Sequence, residues 1–336
     1  LRRWLGAALC LGSSVFFIAC NPHGGAQEVA YVSAVQANLR DRVAAVYEKA
    51  GVVKNGEKVD VLDHDRRFVK VRTTTGAIGW IEQRYLVSQE VFDQLQQLTK
   101  ENLNDPVQGL ATTRNDTNLH VEPGRDSEHL YQISTGEKVS LLKRATAEKP
   151  NTVAPPRPAA KSGDKKEPEP VIEDWWLVRD SHERVGWVLG RMVDLDVPLD
   201  IAQYAEGQRI VAFFVLNQVQ DADKKIAQYL TVLTEPKDGM PFDFNQIRVF
   251  SWNVKRHRYE TAYRERMEGV LPVTLSQERF DKEGTLPVFT VRVRDESGNV
   301  NERKYKLNTP IVRRVLAPGE QPVRAPSAKR KAHSSH

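Results

Sequence analysis

A pattern of four short elements occurs twice in this chain, and a duplication of that size restricts the fold more than any other feature. The first copy reads Asn38-Leu39-Arg40, Gly56-Glu57-Lys58-Val59, Phe68-Val69-Lys70-Val71-Arg72 and Gly79-Trp80-Ile81. The second reads Asn118-Leu119-His120, Gly136-Glu137-Lys138-Val139, Trp176-Leu177-Val178-Arg179 and Gly186-Trp187-Val188. The early elements are 80 positions apart and the closing ones 107, so about 27 extra residues sit inside the second copy. Each segment is short, rich in β-branched residues and bounded by Gly, Asn or Asp, with Lys54-Asn55-Gly56 and His64-Asp65-Arg66 placed as turns. Five or six such strands in about sixty residues suit a small barrel, which leaves no long unpaired edge.

The Asn-Leu-Arg element, the Gly-Glu-x-Val strand, the aromatic-led strand and the closing Gly-Trp-Ile/Val strand resemble, in order and spacing, the bacterial SH3-like (SH3b) domain. The likeness covers Glu28 to Val87 and Thr112 to Val197. It implies two barrels, and ligands drawn from peptidoglycan peptides, other envelope polymers or proteins. The copies differ after the first element. Copy one has Asp41-Arg42-Val43-Ala44, where the family has a small-residue and glycine turn; Glu122-Pro123-Gly124 in copy two is closer.

Trp80 and Trp187, each after a glycine, are expected in the two barrel cores. Trp175 and Trp176 are adjacent, so on a strand they point to opposite faces. If Trp176 matches Phe68, Trp175 faces outward and becomes the leading candidate for a ligand-binding surface, with Tyr85 and Tyr131 as further candidates. Residues 88–105 predict a connecting helix: Ser88 is placed to cap it, Val91, Leu95 and Leu98 recur on one face, and Asn104-Asp105-Pro106 stops it. The helix can fix the angle between the barrels or offer a partner-binding face. Residues 145–174, with six prolines among Lys and Glu, cannot build a core and read as a long loop, either a surface insertion or a docking arm.

Residues 206–316 read as an antiparallel meander. Arg209 to Val219 is strongly apolar, with Val211 to Val215 expected to be buried on both faces. Phe250, Trp252 and Val254 alternate, as do Phe289, Val291 and Val293, and Ser297-Gly298-Asn299 turns the chain back. The expected fold is therefore mainly β: two small SH3-like barrels followed by an antiparallel β-sandwich or open-barrel domain, with a short connecting helix. Lys255-Arg256-His257-Arg258 is a basic hairpin tip that suits either a solubilising turn or an anion. The tail, 317–336, is Pro-rich and then basic. From Arg313 onward, six cations face one Glu320, a net of +5 that matches the formal charge of the whole chain. Its expected counterpart is an anionic lipid or polymer.

The first residues point to export. Arg2 and Arg3 precede an apolar run from Trp4 to Ile18, which is short for a membrane span. Phe17-Ile18-Ala19-Cys20 resembles the bacterial lipobox. That resemblance implies a signal peptide over 1–19, a diacylglyceryl anchor on Cys20, a tether over 20–27 and a protein facing the periplasm or the cell exterior. Asn21 is compatible with outer-membrane attachment. The only cysteines are Cys10 and Cys20, so removal of one and lipidation of the other would leave no thiol for catalysis or disulfides. No HExxH, GxSxG or glycine-rich phosphate loop appears, and Asp63-His64-Asp65 reads as a turn rather than a metal site. The expectation is a non-enzymatic, lipid-anchored envelope protein without metal, cofactor or nucleic acid, whose barrels bind peptidoglycan or another envelope component. The alternative is an envelope scaffold or assembly factor that binds protein partners, with an unfamiliar enzyme in residues 206–316 as the third reading.

Overall fold

A computed structural model describes residues 28–150 and 170–316. The expectations for the signal peptide, Cys20 and its tether, most of the Pro-rich insertion and the basic tail lie outside those residues.

The first sheet contains β1 (Val29–Val32), β2 (Gln36–Arg40), β3 (Lys49–Lys54), β4 (Lys58–Asp65), β5 (Phe68–Thr73), β6 (Ile78–Glu82) and β7 (Leu86–Ser88). The second contains β8 (Gly109–Thr113), β9 (Thr117–His120), β10 (His129–Ile133), β11 (Lys138–Glu148), β12 (Ile172–Arg179), β13 (Val185–Leu189) and β14 (Val193–Leu195). Their orders, β3-β2-β6-β5-β4-β1-β7 and β10-β9-β13-β12-β11-β8-β14, are the same arrangement displaced by seven strands. The duplicated sequence pattern therefore gives a duplicated SH3-like topology.

The glycine of each Gly-Trp pair explains why that pair recurs. A Cβ on Gly79 would lie 2.8 Å from Leu39 Cβ, and one on Gly186 would lie 2.6 Å from Leu119 Cβ. Neither position can carry a side chain without displacing a fully buried leucine. Glycine thus faces the core, Ile81 and Val188 follow it there, and the tryptophans between them point outward. Trp80 and Trp187 are half-buried on the outer faces, not in the cores as expected.

The strand pairing also corrects the alignment of the copies. Phe68 opposes Glu82 and Trp175 opposes Leu189, while Trp176 opposes Val188 as Val69 opposes Ile81. Phe68 therefore matches Trp175, and Trp176 is the core residue that matches Val69. A one-residue slip exchanges the faces of a strand. The expectation that Trp175 is exposed also fails, for a second reason given below.

Between the barrels, α1 (Gln89–Glu101) buries Val91 and Leu95 as its periodicity requires. Ser88 occupies the N-cap but makes no side-chain capping bond. Tyr31 of the first barrel stacks on Phe92 of the helix at 4.2 Å and donates to Gln89 Oε1. The Asn55 side-chain amide donates to the Leu130 carbonyl (2.7 Å) and accepts from the Gln132 N–H (3.0 Å), so the Lys-Asn-Gly turn clasps the second barrel. Asp63-His64-Asp65 lies within β4; the hairpin turn is Arg66-Arg67, with Arg66 at φ 53°. The insertion is shorter than 145–174, because Ala145 to Glu148 pair with Trp175 to Ile172 as continuous ladder.

The third sheet is a seven-stranded meander: β15 (Arg209–Asp221), β16 (Lys224–Thr234), β17 (Phe244–Asn253), β18 (Arg258–Phe280), β19 (Gly284–Arg294), β20 (Val300–Asn308) and β21 (Ile311–Val315). It is preceded by the short helix α2 (Leu199–Ala202). The sheet curls until Thr309, between β20 and β21, receives hydrogen bonds from Asn217 and Gln228 on β15 and β16. Val211 and Ala212 are buried as expected, but Val215 is 50% exposed. A register shift between Val249 and Phe250 breaks the alternation on β17, leaving both buried, and Val254 falls in the turn beyond the strand, where it is exposed.

Second barrel and third sheet share one hydrophobic core, running from Leu119 and Trp176 through Val211 to Phe289 and Tyr305. Gln108 closes the seam between them. Its carbonyl accepts from Phe213 N–H, its side chain donates to the Val273 carbonyl, and its Oε1 accepts from Val273 N–H. Arg144 completes the joint: it bonds Asp174 (2.6 Å) and Asp243 (3.1 Å), while Arg209 reaches the other Asp174 oxygen (3.0 Å). The first barrel has a core of its own, built from Val32, Leu39, Val53, Val69, Val71 and Ile81. Among the described residues no helix is long and apolar enough to cross a membrane.

Candidate binding face of the first barrel

On the first barrel, β2, β5 and β6 place Arg40, Phe68, Lys70, Trp80 and Glu82 on one outer face. Arg40 lies between two rings, its guanidinium carbon 4.2 Å from the centroid of Tyr47 and 4.8 Å from that of Phe68. Arg67 adds a second cation over Phe68 at 5.4 Å, and Lys70 stands 5.9 Å from Trp80. Such contacts hold cations beside aromatic faces without neutralising them. Glu82 takes bonds from Arg40 (3.4 Å) and Arg84 (2.8 Å). Arg66 and Arg67 have no carboxylate partner among the described residues.

The loop that departs from the family pattern forms the wall of this face. Asp41 closes it by accepting from the Glu48 N–H (2.7 Å) and from Arg42. Desolvation opposes ionisation there, but the Glu48 amide and the Arg42 guanidinium hold the Asp41 carboxyl below its ordinary value. The tip presents Val46, 86% exposed, and Tyr47, 38% exposed. Beneath it is a cleft of about 460 Å³ lined by Arg40, Val43, Ala44, Arg66, Arg67 and Phe68. A neighbouring cleft is shared by Arg67, Glu82, Gln83, Arg84 and Leu86. An apolar rim over a shelf of unpaired guanidinium groups can receive an extended chain that carries carboxylates.

The equivalent face of the second barrel is closed. His120 stands for Arg40, Trp175 for Phe68, Leu177 for Lys70, Trp187 for Trp80 and Leu189 for Glu82. The Trp175 ring meets His120 edge-on at 5.3 Å and is 2% exposed. Leu177 is buried with Leu142 and Val185, against Leu98 of α1 and Trp187. The loop after β9 is pinned by Arg125, which bonds both Glu173 oxygens at 2.6 Å. That bond, working against burial, holds the Glu173 carboxyl below its ordinary value. Burial, helped by nearby His129, lowers the pKa of His120, and the Ser127 carbonyl only partly offsets this.

The three aromatics singled out by sequence do not converge. Trp175 is interior. Tyr131 lies in the joint between the barrels, 9% exposed, under the Arg184 guanidinium at 4.4 Å. Tyr85 is half-buried, with Arg84 over its ring at 4.8 Å and bonded to its hydroxyl, at the edge of the open face. Sequence reasoning missed Arg40, Arg66, Arg67, Tyr47 and Phe68. The available signal was the paired arginine before an aromatic-led strand, beneath a loop that abandons the glycine turn.

At the basic hairpin, Arg256 and Arg258 bond Glu260, and His257 Nδ1 lies 2.8 Å from Asp221. These partners favour a self-neutralised turn over an anion site. Among the described residues no group of three His, Cys, Asp or Glu is arranged to hold a metal ion.

Residues 35–87 match the bacterial SH3 domain family, a span confined to the first barrel. No curated protein matches the chain. Solved structures similar to it include NlpC2 from Trichomonas vaginalis, with 10% identity, 86% of this chain and 96% of that chain covered, and a TM-score of 0.17. An NlpC/P60 family protein from Bacillus cereus ATCC 10987 is also similar, with 11% identity, 84% and 95% covered, and a TM-score of 0.23. Scores this low carry no argument about fold or activity.

Proposed function

We propose that the chain is a non-enzymatic scaffold of the cell envelope, in which the first barrel docks a carboxylate-bearing segment of a partner protein. The second barrel and third sheet act as one rigid support. The observation that carries this reading is the contrast between equivalent faces: Arg66 and Arg67 stand unpaired beneath an exposed apolar rim on the first barrel, whereas on the second Leu177, in the place of the half-buried Lys70, is interior. A lipid on Cys20 would tether the molecule to a membrane surface, with the first barrel nearest the anchor.

A second reading has the same face binding the stem peptides of peptidoglycan, and the bacterial SH3 match at residues 35–87 favours it. Sedimentation with purified sacculi at moderate salt separates the two. Protein docking predicts a chain that stays in the supernatant. Pelleting that is lost in an Arg66→Glu/Arg67→Glu variant would overturn it in favour of the wall.

A further inference from the structure

Both barrels carry a crevice at the same place, and the second has been enlarged into a cleft. On the first barrel Val61, Val69, Gln83, Leu86 and Ser88 line a crevice of about 150 Å³. Their counterparts Leu141, Trp176, Gly190, Val193 and Leu195 line one of about 430 Å³, within the range of small-molecule sites. Two changes account for the difference. Glycine stands at 190 where the first copy has Gln83, and a Cβ there would lie 2.8 Å from the Asp174 carbonyl oxygen, so this wall must stay bare. The start of the third domain then supplies an opposite wall, from Ala202, Ala205, Ile210 and Val211.

The floor of the cleft is apolar, and its rim carries three arginines. Arg114 is paired with Asp194 through Nε at 3.0 Å. Arg209 is held by Asp174 and Asp238, although its Nε is buried without an acceptor. Arg191 is exposed and has no hydrogen-bonded partner among the described residues; the nearby Glu173 is already taken on both oxygens by Arg125. The rim therefore presents one guanidinium without a hydrogen-bonded partner beside a floor that water solvates poorly. The two walls are tied to each other by Arg209, adjacent to Ile210, which bonds Asp174, so the cleft is preformed.

We propose that this cleft binds a small amphipathic anion, with an apolar body on Trp176 and the aliphatic floor and a single negatively charged head at Arg191. The site is separate from the docking face of the first barrel, so either can fail without the other.

The test is calorimetric titration of the full chain with dodecanoate below its micellar concentration, beside dodecyltrimethylammonium of the same chain length. The expected result is saturable one-site binding of dodecanoate, at least tenfold tighter than the cation. Arg191→Glu, an exposed change that leaves the fold intact, should invert that preference. Ala202→Trp should abolish binding by filling the cleft. Absence of saturable dodecanoate binding overturns the proposal. So does equal affinity for anion and cation, or a preference that Arg191→Glu leaves unchanged.

Discussion

Position for position, the first barrel carries Arg40, Phe68, Lys70 and Trp80 where the second carries His120, Trp175, Leu177 and Trp187. The strand order beneath them is the same. What differs is what each face must touch. Helix α1 lies on the second face and requires apolar residues there, so Leu177 and Trp187 pack with Leu98. No helix lies on the first face: Phe68 there is covered by the guanidinium groups of Arg40 and Arg67, and these cations stay in contact with water. One copy has become architecture, and the other keeps the exposed chemistry of a binding module. The cores differ accordingly: the first barrel's is self-contained, whereas the second's continues into the third sheet.

This contrast can be broken most severely at Trp175. Trp175→Ala removes a side chain that is 2% exposed and should cost about 3–5 kcal/mol of stability, read by denaturant unfolding. A loss below about 1 kcal/mol would mean that Trp175 is not a structural residue. Arg144→Met should cost about 3 kcal/mol, because it takes one of two guanidinium partners from the buried Asp174, leaving Arg209, and removes the cation beside Asp243. The loss of protection, read by hydrogen exchange, should fall on the second barrel and third sheet and spare the core of the first barrel.

Mild acid should act on the second barrel through His120. The folded pKa of His120 lies below the unfolded value near ~6.5, so the unfolded chain takes the proton first. The stability this contributes is present above ~6.5 and is lost as pH falls from there toward the lowered folded value. Glu173, depressed by Arg125, adds a loss at still lower pH, below the ordinary carboxylate range. The first barrel has the permanently charged Arg40 in place of His120. A His120→Phe variant should flatten the stability profile below about pH 6.5, as followed by thermal melting.

The smallest effect on stability falls at the binding face. Arg66→Glu/Arg67→Glu and Lys70→Leu should each change stability by less than about 0.5 kcal/mol. The double reversal should nevertheless abolish partner docking. A large stability loss there would make these cations structural, and the contrast between the barrels would fail.

Much of the fold was legible because spacing is a backbone property. The offset of 80 between Asn38 and Asn118 located the second barrel, and the Val91-Leu95-Leu98 period located α1. Faces were less legible. The Gly-Trp pair reads as a hydrophobic strand, and nothing local reveals that glycine, not tryptophan, meets the leucine behind it. Trp175 illustrates a second limit. Its surroundings depend on His120, 55 positions earlier, and on a barrel face sealed by a helix from the preceding linker. The candidate site was missed for a related reason. Arg40, Tyr47 and Phe68 are scattered over 28 positions and meet only after β2, β5 and the loop 41–48 close on one another.

The most direct test places a photo-cross-linking amino acid at Val46 or at Asp126, the exposed positions in corresponding loops of the two barrels, in the chain expressed in a bacterial envelope. The account predicts a discrete protein adduct from position 46, lost when Arg66 and Arg67 are reversed, and none from position 126. An adduct from position 126 alone, or from both positions alike, would contradict the division of roles between the barrels.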